Sequence, residues 1–472
     1  MPELPEEQTE QSAKAAVPEP TMPNSTSEPG LKMAPDGKRK NRGQTCKDRR
    51  EHAHKKLRSR NAEEAHESRS PRPPGSEPRL PKRRVALLMG FCGTGFQGMQ
   101  VNPNARTIEG DLFKALVDAG AVSADNSVDQ SKVQLQRAAR TDKGVHAAGQ
   151  VVSLKMIVED PEIVAKINSH LPEQIRVWGF VRVIRSFNAK TMCDSRVYEY
   201  LLPTYVLMEP SAAHRAIAQT VPFEQREIPE TTSEEIARRR AYRVPADKLQ
   251  FVRDAFAKYK GTHDFRNFTV TRGCTDTNSR RHIHYFDVSD PMVIDGSEWL
   301  SLKVKGQSFM LHQIRKMVGL IILMARSGAP LALIDALFGG PRVNVPKAPG
   351  LGLLLEQPVF DGYNKRAATQ TAGATSPVGF DDFQEQIGEF KQKLIYDAIT
   401  QTEARDAVFD EWVKSTEVFP EEYTYINAEG VIPESAVVVP GAQRRVPLFM
   451  KRDAAAAARG GDSEDEADTR DD

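Results

Sequence analysis

The segment Arg137-Ala138-Ala139-Arg140-Thr141-Asp142-Lys143-Gly144-Val145-His146-Ala147 sets one carboxylate among Arg140, Lys143 and His146. Nearby positive charge favours the ionised form of Asp142, and an ionised carboxylate at a turn is available as a nucleophile or a base. Taken alone, the Asp-x-Gly step also reads as an ordinary turn between two strands. Further on, Phe187-Asn188-Ala189-Lys190 leads through Cys193 to Arg196-Val197-Tyr198-Glu199-Tyr200-Leu201. A period of two puts Arg196, Tyr198 and Tyr200 on one strand face and Val197, Glu199 and Leu201 on the other. An arginine and two tyrosines on one face either stack on a nucleobase or simply fill an amphipathic strand. In Lys305-Gly306-Gln307-Ser308-Phe309 and on to Gly319, helical geometry brings His312, Arg315, Lys316 and Gly319 to one side, beside an apolar stripe of Met310, Ile314, Met317 and Ile321.

Two further patterns are weaker. Gly93-Thr94-Gly95-Phe96-Gln97-Gly98 is a literal G-x-G-x-x-G behind an apolar run. A dinucleotide site needs a helix to open at those glycines, and here Asn102-Pro103-Asn104 delays helix onset to Thr107. The amide-rich turn is better suited to an RNA phosphate or to lining a cleft. His263, Cys274, His282 and His284 offer metal-binding atoms, but their spacing matches no standard zinc site.

Regular elements must position these residues. Val85 to Met89 reads as a buried strand, followed by a helix capped by Thr107, carrying Ile108, Leu112 and Leu116 on one face and closed by Gly120. Strands are expected at Val133 to Ala138, Gln150 to Ile157, Arg176 to Ile184 and Arg196 to Leu202, with a helix near Pro161 to Ser169. A polar stretch from Arg226 to Arg240 reads as an insertion or link. Beyond it come a helix with Leu249, Val252, Phe256 and Tyr259 on one face, strands near His282 to Val288 and Trp299 to Val304, and the helix carrying Arg315. Thr369 to Gly379 reads as a small-residue linker. Phe383, Ile387, Phe390 and Leu394 then trace an amphipathic helix, expected to dock on the second folded unit and to let Lys391 and Lys393 extend a basic cleft.

The 472 residues carry 65 Lys plus Arg against 64 Asp plus Glu, a net charge of +1, so any electrostatic partnership rests on local segregation of charge. No apolar run approaches the roughly 18 residues of a membrane span, which excludes a membrane partner from the reading. Four scattered cysteines without a C-x-x-C pair fit a reducing compartment. The first ten residues carry four glutamates and no basic residue, the reverse of a mitochondrial transit peptide. From Met1 to Arg84 there is no aromatic residue, so that stretch is expected to be disordered. Its basic clusters, Lys38-Arg39-Lys40, Lys47 to Arg50, Lys55 to Arg60 and Pro81 to Arg84, suit a nuclear import receptor or RNA phosphates.

Taken together, these segments resemble the TruA family of pseudouridine synthases, and in particular its eukaryotic nuclear branch. The resemblance is carried by Phe91 to Gln100, Arg140-Thr141-Asp142-Lys143-Gly144-Val145-His146-Ala147, Leu171-Pro172 with Ile175-Arg176-Val177, Phe187 to Lys190, Arg196 to Tyr200, Gly261-Thr262-His263-Asp264-Phe265, Lys305 through Arg315, and Gly350-Leu351-Gly352-Leu353. It spans about Val85 to Asn364, and Met99 departs from the tryptophan usual in bacterial members.

The resemblance implies an α+β fold of two ferredoxin-like subdomains whose antiparallel sheets flank a basic RNA-binding cleft. The expected segments are a disordered arm (1–81), an N-terminal catalytic subdomain (82–205), a linker or insertion (206–245), a C-terminal subdomain (246–365), a linker (366–379), a helical extension (380–450) and a disordered acidic tail (451–472). It also implies isomerisation of uridine to pseudouridine in tRNA, with small nuclear RNA and messenger RNA as further candidate substrates. No organic cofactor is implied, a structural zinc is left open, and the expected protein is a nuclear monomer. By motif, Asp142 matches the nucleophile, Tyr198 the residue that stacks on uracil and handles the C5 proton, Arg315 the cation paired with the aspartate, and Arg140 the side chain that fills the gap left by the flipped base. Arg196, His146 and Phe309 join them as expected substrate-binding residues. The rival from another class is a catalytically silent RNA-binding or tRNA-chaperone protein on the same fold, with a nicotinamide enzyme built on the glycine turn as a remote third.

Overall fold

The computed structural model describes residues 80–102, 104–269, 279–369 and 376–438. The basic clusters before Leu80, Cys274, part of the small-residue linker and the acidic end of the chain lie outside the described residues. Strand β1 (Lys82–Phe91) is buried from Val85 to Phe91, as a continuous apolar run requires when both faces of a sheet are covered. It begins at Lys82, earlier than the sequence pattern indicates. Arg84 donates from Nε and Nη2 to the Phe187 carbonyl at 2.8 and 2.6 Å and from Nη1 to that of Gln134. The last basic cluster, expected to end a free arm, is therefore sheet from Lys82 onward, with the guanidinium of Arg84 satisfying the carbonyls of Phe187 and Gln134.

The remaining strands are β2 (Gln136–Arg137), β3 (His146–Ile157), β4 (Ile175–Arg182), β5 (Ser195–Pro203), β6 (Gly261–Asp264), β7 (Arg280–Val288), β8 (Met292–Ile294), β9 (Ser297–Gly306) and β10 (Leu353–Val359). They join in one sheet of order β4-β1-β3-β10-β5-β9-β7-β6, with β2 on β3 and β8 on β9. The fold is mixed α+β, as expected. The pairing is antiparallel within each half of the sheet, and the one parallel step, β10 beside β3, falls where the two halves join. That step comes from an exchange: β10, late in the chain, lies between β3 and β5, while β5 lies between β10 and β9. Segments 82–205 and 246–365 thus trade strands across the middle of a single sheet.

The helix Ile108–Asp118 is capped by Thr107, whose Oγ1 accepts the Gly110 N–H. Val133 to Ala138, expected as a strand, is a tight turn over Gln130–Val133 followed by the two-residue β2. The break falls at Gln134, whose φ of 55° no strand can continue. The helix Gln313–Ser327 begins after Met310, because His312 takes a left-handed conformation at its N-cap and fixes the start. The polar 206–245 insertion forms helices Ala212–Thr220 and Ser233–Ala241, the second opened by a reciprocal cap between Thr232 and Glu235. Its charges face the helix Val408–Val418 of the C-terminal extension: Arg239 pairs with Asp410 at 2.5 Å and Lys414 with Glu235 at 3.3 Å.

The amphipathic stripe from Phe383 is helical, running Gln384–Phe390, a wider turn over Lys391–Tyr396, and Asp397–Asp406. It docks chiefly on the first folded unit, not on the second as expected, and reaches the second only at β10. Phe390 meets Trp178 of β4 edge-on with ring centroids 5.2 Å apart, and the Phe383 ring lies over Gly179. Lys391 pairs with Glu199 of β5 and with Glu356 of β10. The apolar stripe finds its complement on the back of β4 and the sheet centre, so Lys391 is buried there and adds nothing to a cleft. Among the described residues, no helix is long and apolar enough to cross a membrane.

Candidate active site

The Asp142 loop fills the gap between β2 and β3. Its backbone is held from several directions. Gln150, fully buried on β3, accepts the Ala139 N–H at its Oε1 and donates Nε2–H to the Ala139 carbonyl at 2.8 Å. The Met99 amide donates to the Thr141 carbonyl and the Gly144 amide to that of Phe96, both at 3.2 Å. The glycine turn is the seat of this loop. A Cβ on Gly93 would stand 2.2 Å from the Val145 carbonyl oxygen, and one on Gly98, at φ +85°, would stand 2.8 Å from that of Thr141. Glycine is required at both points because two backbones touch there. On this rigid seat the Asp142 side chain remains 47% exposed.

Strand β5 supplies the neighbouring surface. Tyr198 is buried and packs edge-on against Phe309 with ring centroids 5.3 Å apart. Burial pushes its phenol up to about 12; Arg196 opposes that shift, and the charges of Asp142 and Cys193 add to it. Arg196, on the same strand face, donates Nε and Nη2 to the Ala138 carbonyl at 3.3 and 2.8 Å and Nη1 to that of Gln307 at 3.2 Å. Its guanidinium therefore ties the Asp142 loop to the loop that carries Phe309.

The third wall is the start of helix Gln313–Ser327. His312 Nδ1 lies 3.8 Å from Asp142 Oδ2. Burial, then the charges of Lys347, Arg315 and Lys316, hold the His312 ring down to about 3, so it is neutral. Arg315 donates Nε–H to the Ala348 carbonyl at 2.8 Å, and the Ala348 amide donates back to the Arg315 carbonyl at 3.1 Å. Lys316, grouped with Arg315 by helical spacing, turns inward and is buried against the carbonyls of Asn267 and Thr269.

Of the residues the sequence singles out, the fold gathers Asp142, Tyr198, Phe309 and Arg196 at one place, with Arg315 a turn behind His312 and Arg140 exposed on the Asp142 loop. His146 is a correction. It is fully buried, its Nδ1 accepts the Gly93 N–H at 3.2 Å, and burial lowers its pKa to about 4. It braces the glycine turn from beneath and has no surface to offer an RNA. His263 is engaged as well, bonded to the Lys260 carbonyl and stacked on Phe338 at 4.1 Å. Sequence reasoning passed over Gln150, and it grouped His312 with Arg315 without giving it a role. His312 shares the helix side of Arg315, but nothing local says that this side meets the Asp142 loop.

A sequence profile described as tRNA pseudouridine synthase matches residues 255–361. The tRNA pseudouridine synthase 1 of Schizosaccharomyces pombe is 35% identical over 83% of this chain and 92% of its own length. The mouse pseudouridylate synthase 1 homolog is 42% identical over 71% of this chain and 74% of its own. The tRNA pseudouridine synthase 1 of Candida albicans is 41% identical over 70% of this chain, which spans 65% of that relative's length. A carboxylate loop seated on a glycine turn, in a sheet shared by both halves of the chain, and identity at this level across most of two full-length relatives make this chain a member of the TruA family of tRNA pseudouridine synthases.

Proposed function

We propose that this isomerase converts uridine to pseudouridine in tRNA with Asp142 as the nucleophilic carboxylate, and that uridines of small nuclear and messenger RNA can enter the same site. The observation that carries the reading is Asp142 itself: a half-exposed carboxylate on a loop whose backbone is pinned by Met99, Gln150 and Phe96, beside the edge-packed pair Tyr198 and Phe309. The reaction breaks the C1′–N1 bond and forms a C1′–C5 bond; C5 gives up a proton and N1 gains one, so atoms balance without a co-reactant. Asp142 acts either by adding to the uracil ring or at the sugar carbon. Tyr198, whose phenol keeps its proton at neutral pH, offers a stacking face and passes a proton on. Arg140, exposed two residues ahead, fills the place of the flipped base. Arg315 supplies the cation behind the carboxylate.

The test is tRNA turned over by the full-length protein, with pseudouridine mapped by carbodiimide labelling. Asp142→Asn is expected to form none while binding tRNA within a few-fold, because phosphate contacts dominate affinity. Tyr198→Phe keeps the stacking face and loses the hydroxyl, so a slowed rate with unchanged binding assigns the hydroxyl to proton transfer. Wild-type protein that binds tRNA without modifying it would instead be the silent RNA-binding protein.

A further inference from the structure

His312 is held in two unfavourable circumstances at once. Its φ of 60° and ψ of 7° lie in the left-handed region that glycine and asparagine tolerate best. Its Nδ1 is fully buried and, among the described residues, makes no hydrogen bond, although only 12% of the side chain is exposed. Buried polar atoms without partners are rare in native proteins, and each calls for an explanation, a catalytic role being one. The carboxylate oxygen in front of this nitrogen is Asp142 Oδ2, at 3.8 Å. That is too long for a hydrogen bond, but catalytic hydrogen bonds are often long in the free enzyme and close around the substrate. The Asp142 side chain, 47% exposed, is the more accessible partner of the two.

We propose that His312 is a positioning residue that offers Nδ1–H to Asp142 Oδ2 and fixes the attacking carboxylate once RNA is bound. This rests on the reading of Asp142 as the nucleophile. The ring's neutrality matters to the role. Burial, with the charges of Lys347, Arg315 and Lys316 adding to it, keeps it from becoming a further cation. A neutral N–H orients a carboxylate without the full ion pairing that would blunt its attack.

The experiment compares His312→Gly with His312→Asn in the full-length enzyme on tRNA. Glycine accepts the left-handed backbone, so the fold is kept while the ring is lost. Asparagine also tolerates that backbone and carries an amide N–H near the position of Nδ1. Loss of one hydrogen bond to a charged group predicts that the glycine variant loses about 10- to 100-fold in kcat, with KM and melting temperature unchanged. The asparagine variant should return to within about three-fold of wild type. A glycine variant with wild-type kcat overturns the proposal, and so does an asparagine variant as slow as the glycine one. Nitrogen NMR of isotope-labelled histidine gives a second reading independent of turnover. In the RNA-bound protein the His312 Nδ1 signal should be that of a hydrogen-bonded N–H and should move in Asp142→Asn. A signal unmoved by that substitution overturns the pairing even if the enzyme proves inactive, whereas an inactive wild type with a responsive signal overturns only the assigned reaction.

Discussion

Lys391 forms an ion pair with Glu199, one residue along β5 from Tyr198. Alternation along the strand sends Tyr198 to the active-site face and Glu199 to the back, where Lys391 and Ser301 meet it. Burial pushes Glu199 up, and the charge of Lys391 more than reverses this, leaving its carboxyl below the usual range. The C-terminal helix is therefore locked, through one strand, to the surface that carries Tyr198.

Lys391→Ala leaves the fully buried Glu199 without its cation, while the part-exposed Glu356 keeps Lys303. Removal of one partner from a buried pair costs about 3 to 5 kcal/mol, and chemical denaturation should show that loss. Replacing the pair together, Lys391→Met with Glu199→Gln, should restore much of it, since no lone charge is then left in the interior.

Gly98→Ala should damage turnover far more than folding. The new Cβ would press on the Thr141 carbonyl 2.8 Å away, at a φ of +85° that alanine resists, and would push the Asp142 loop off its seat. A displacement of about 1 Å at a reacting group is worth roughly 100-fold in rate. Steady-state kinetics should show that fall in kcat while tRNA affinity changes by less than about three-fold, since phosphate contacts set affinity.

Stability should fall as pH rises through neutrality, by an amount traceable to Glu403. Burial first, with the charge of Asp410 adding to it, raises this carboxyl to about 7, although the Tyr205 hydroxyl and the Phe409 amide donate to it. A folded pKa above the unfolded one means stability is fully present below the unfolded value of 4.5 and is lost as pH climbs through 7. The span amounts to about 3 kcal/mol. Melting temperatures of Glu403→Gln should match wild type at pH 4 and exceed it at pH 8.

The basic clusters between Lys38 and Arg60 are expected to direct nuclear import and to be dispensable for chemistry. A fluorescent version that begins at Arg79, which keeps all of β1, should spread to the cytoplasm, while the purified protein retains its rate on tRNA. Unchanged nuclear accumulation would sink the import signal.

Contiguity decides what could be read from the chain alone. Arg140 to Ala147 lie side by side in sequence, so their chemistry is visible before any fold is known, and the alternation around Tyr198 and the stripe from Phe383 to Leu394 declare a strand and a helix through their own periodicity. Periodicity says that a face is buried but not against what. The stripe was bound to dock; only the folded sheet, with Trp178 and Glu199 on its back, decided where. Likewise β10 entering between β3 and β5 and His312 arriving 3.8 Å from Asp142 are pairings between residues distant along the chain. Local propensity carries no trace of such partners, because the free energy that selects them comes from surfaces that exist only once the whole sheet has assembled.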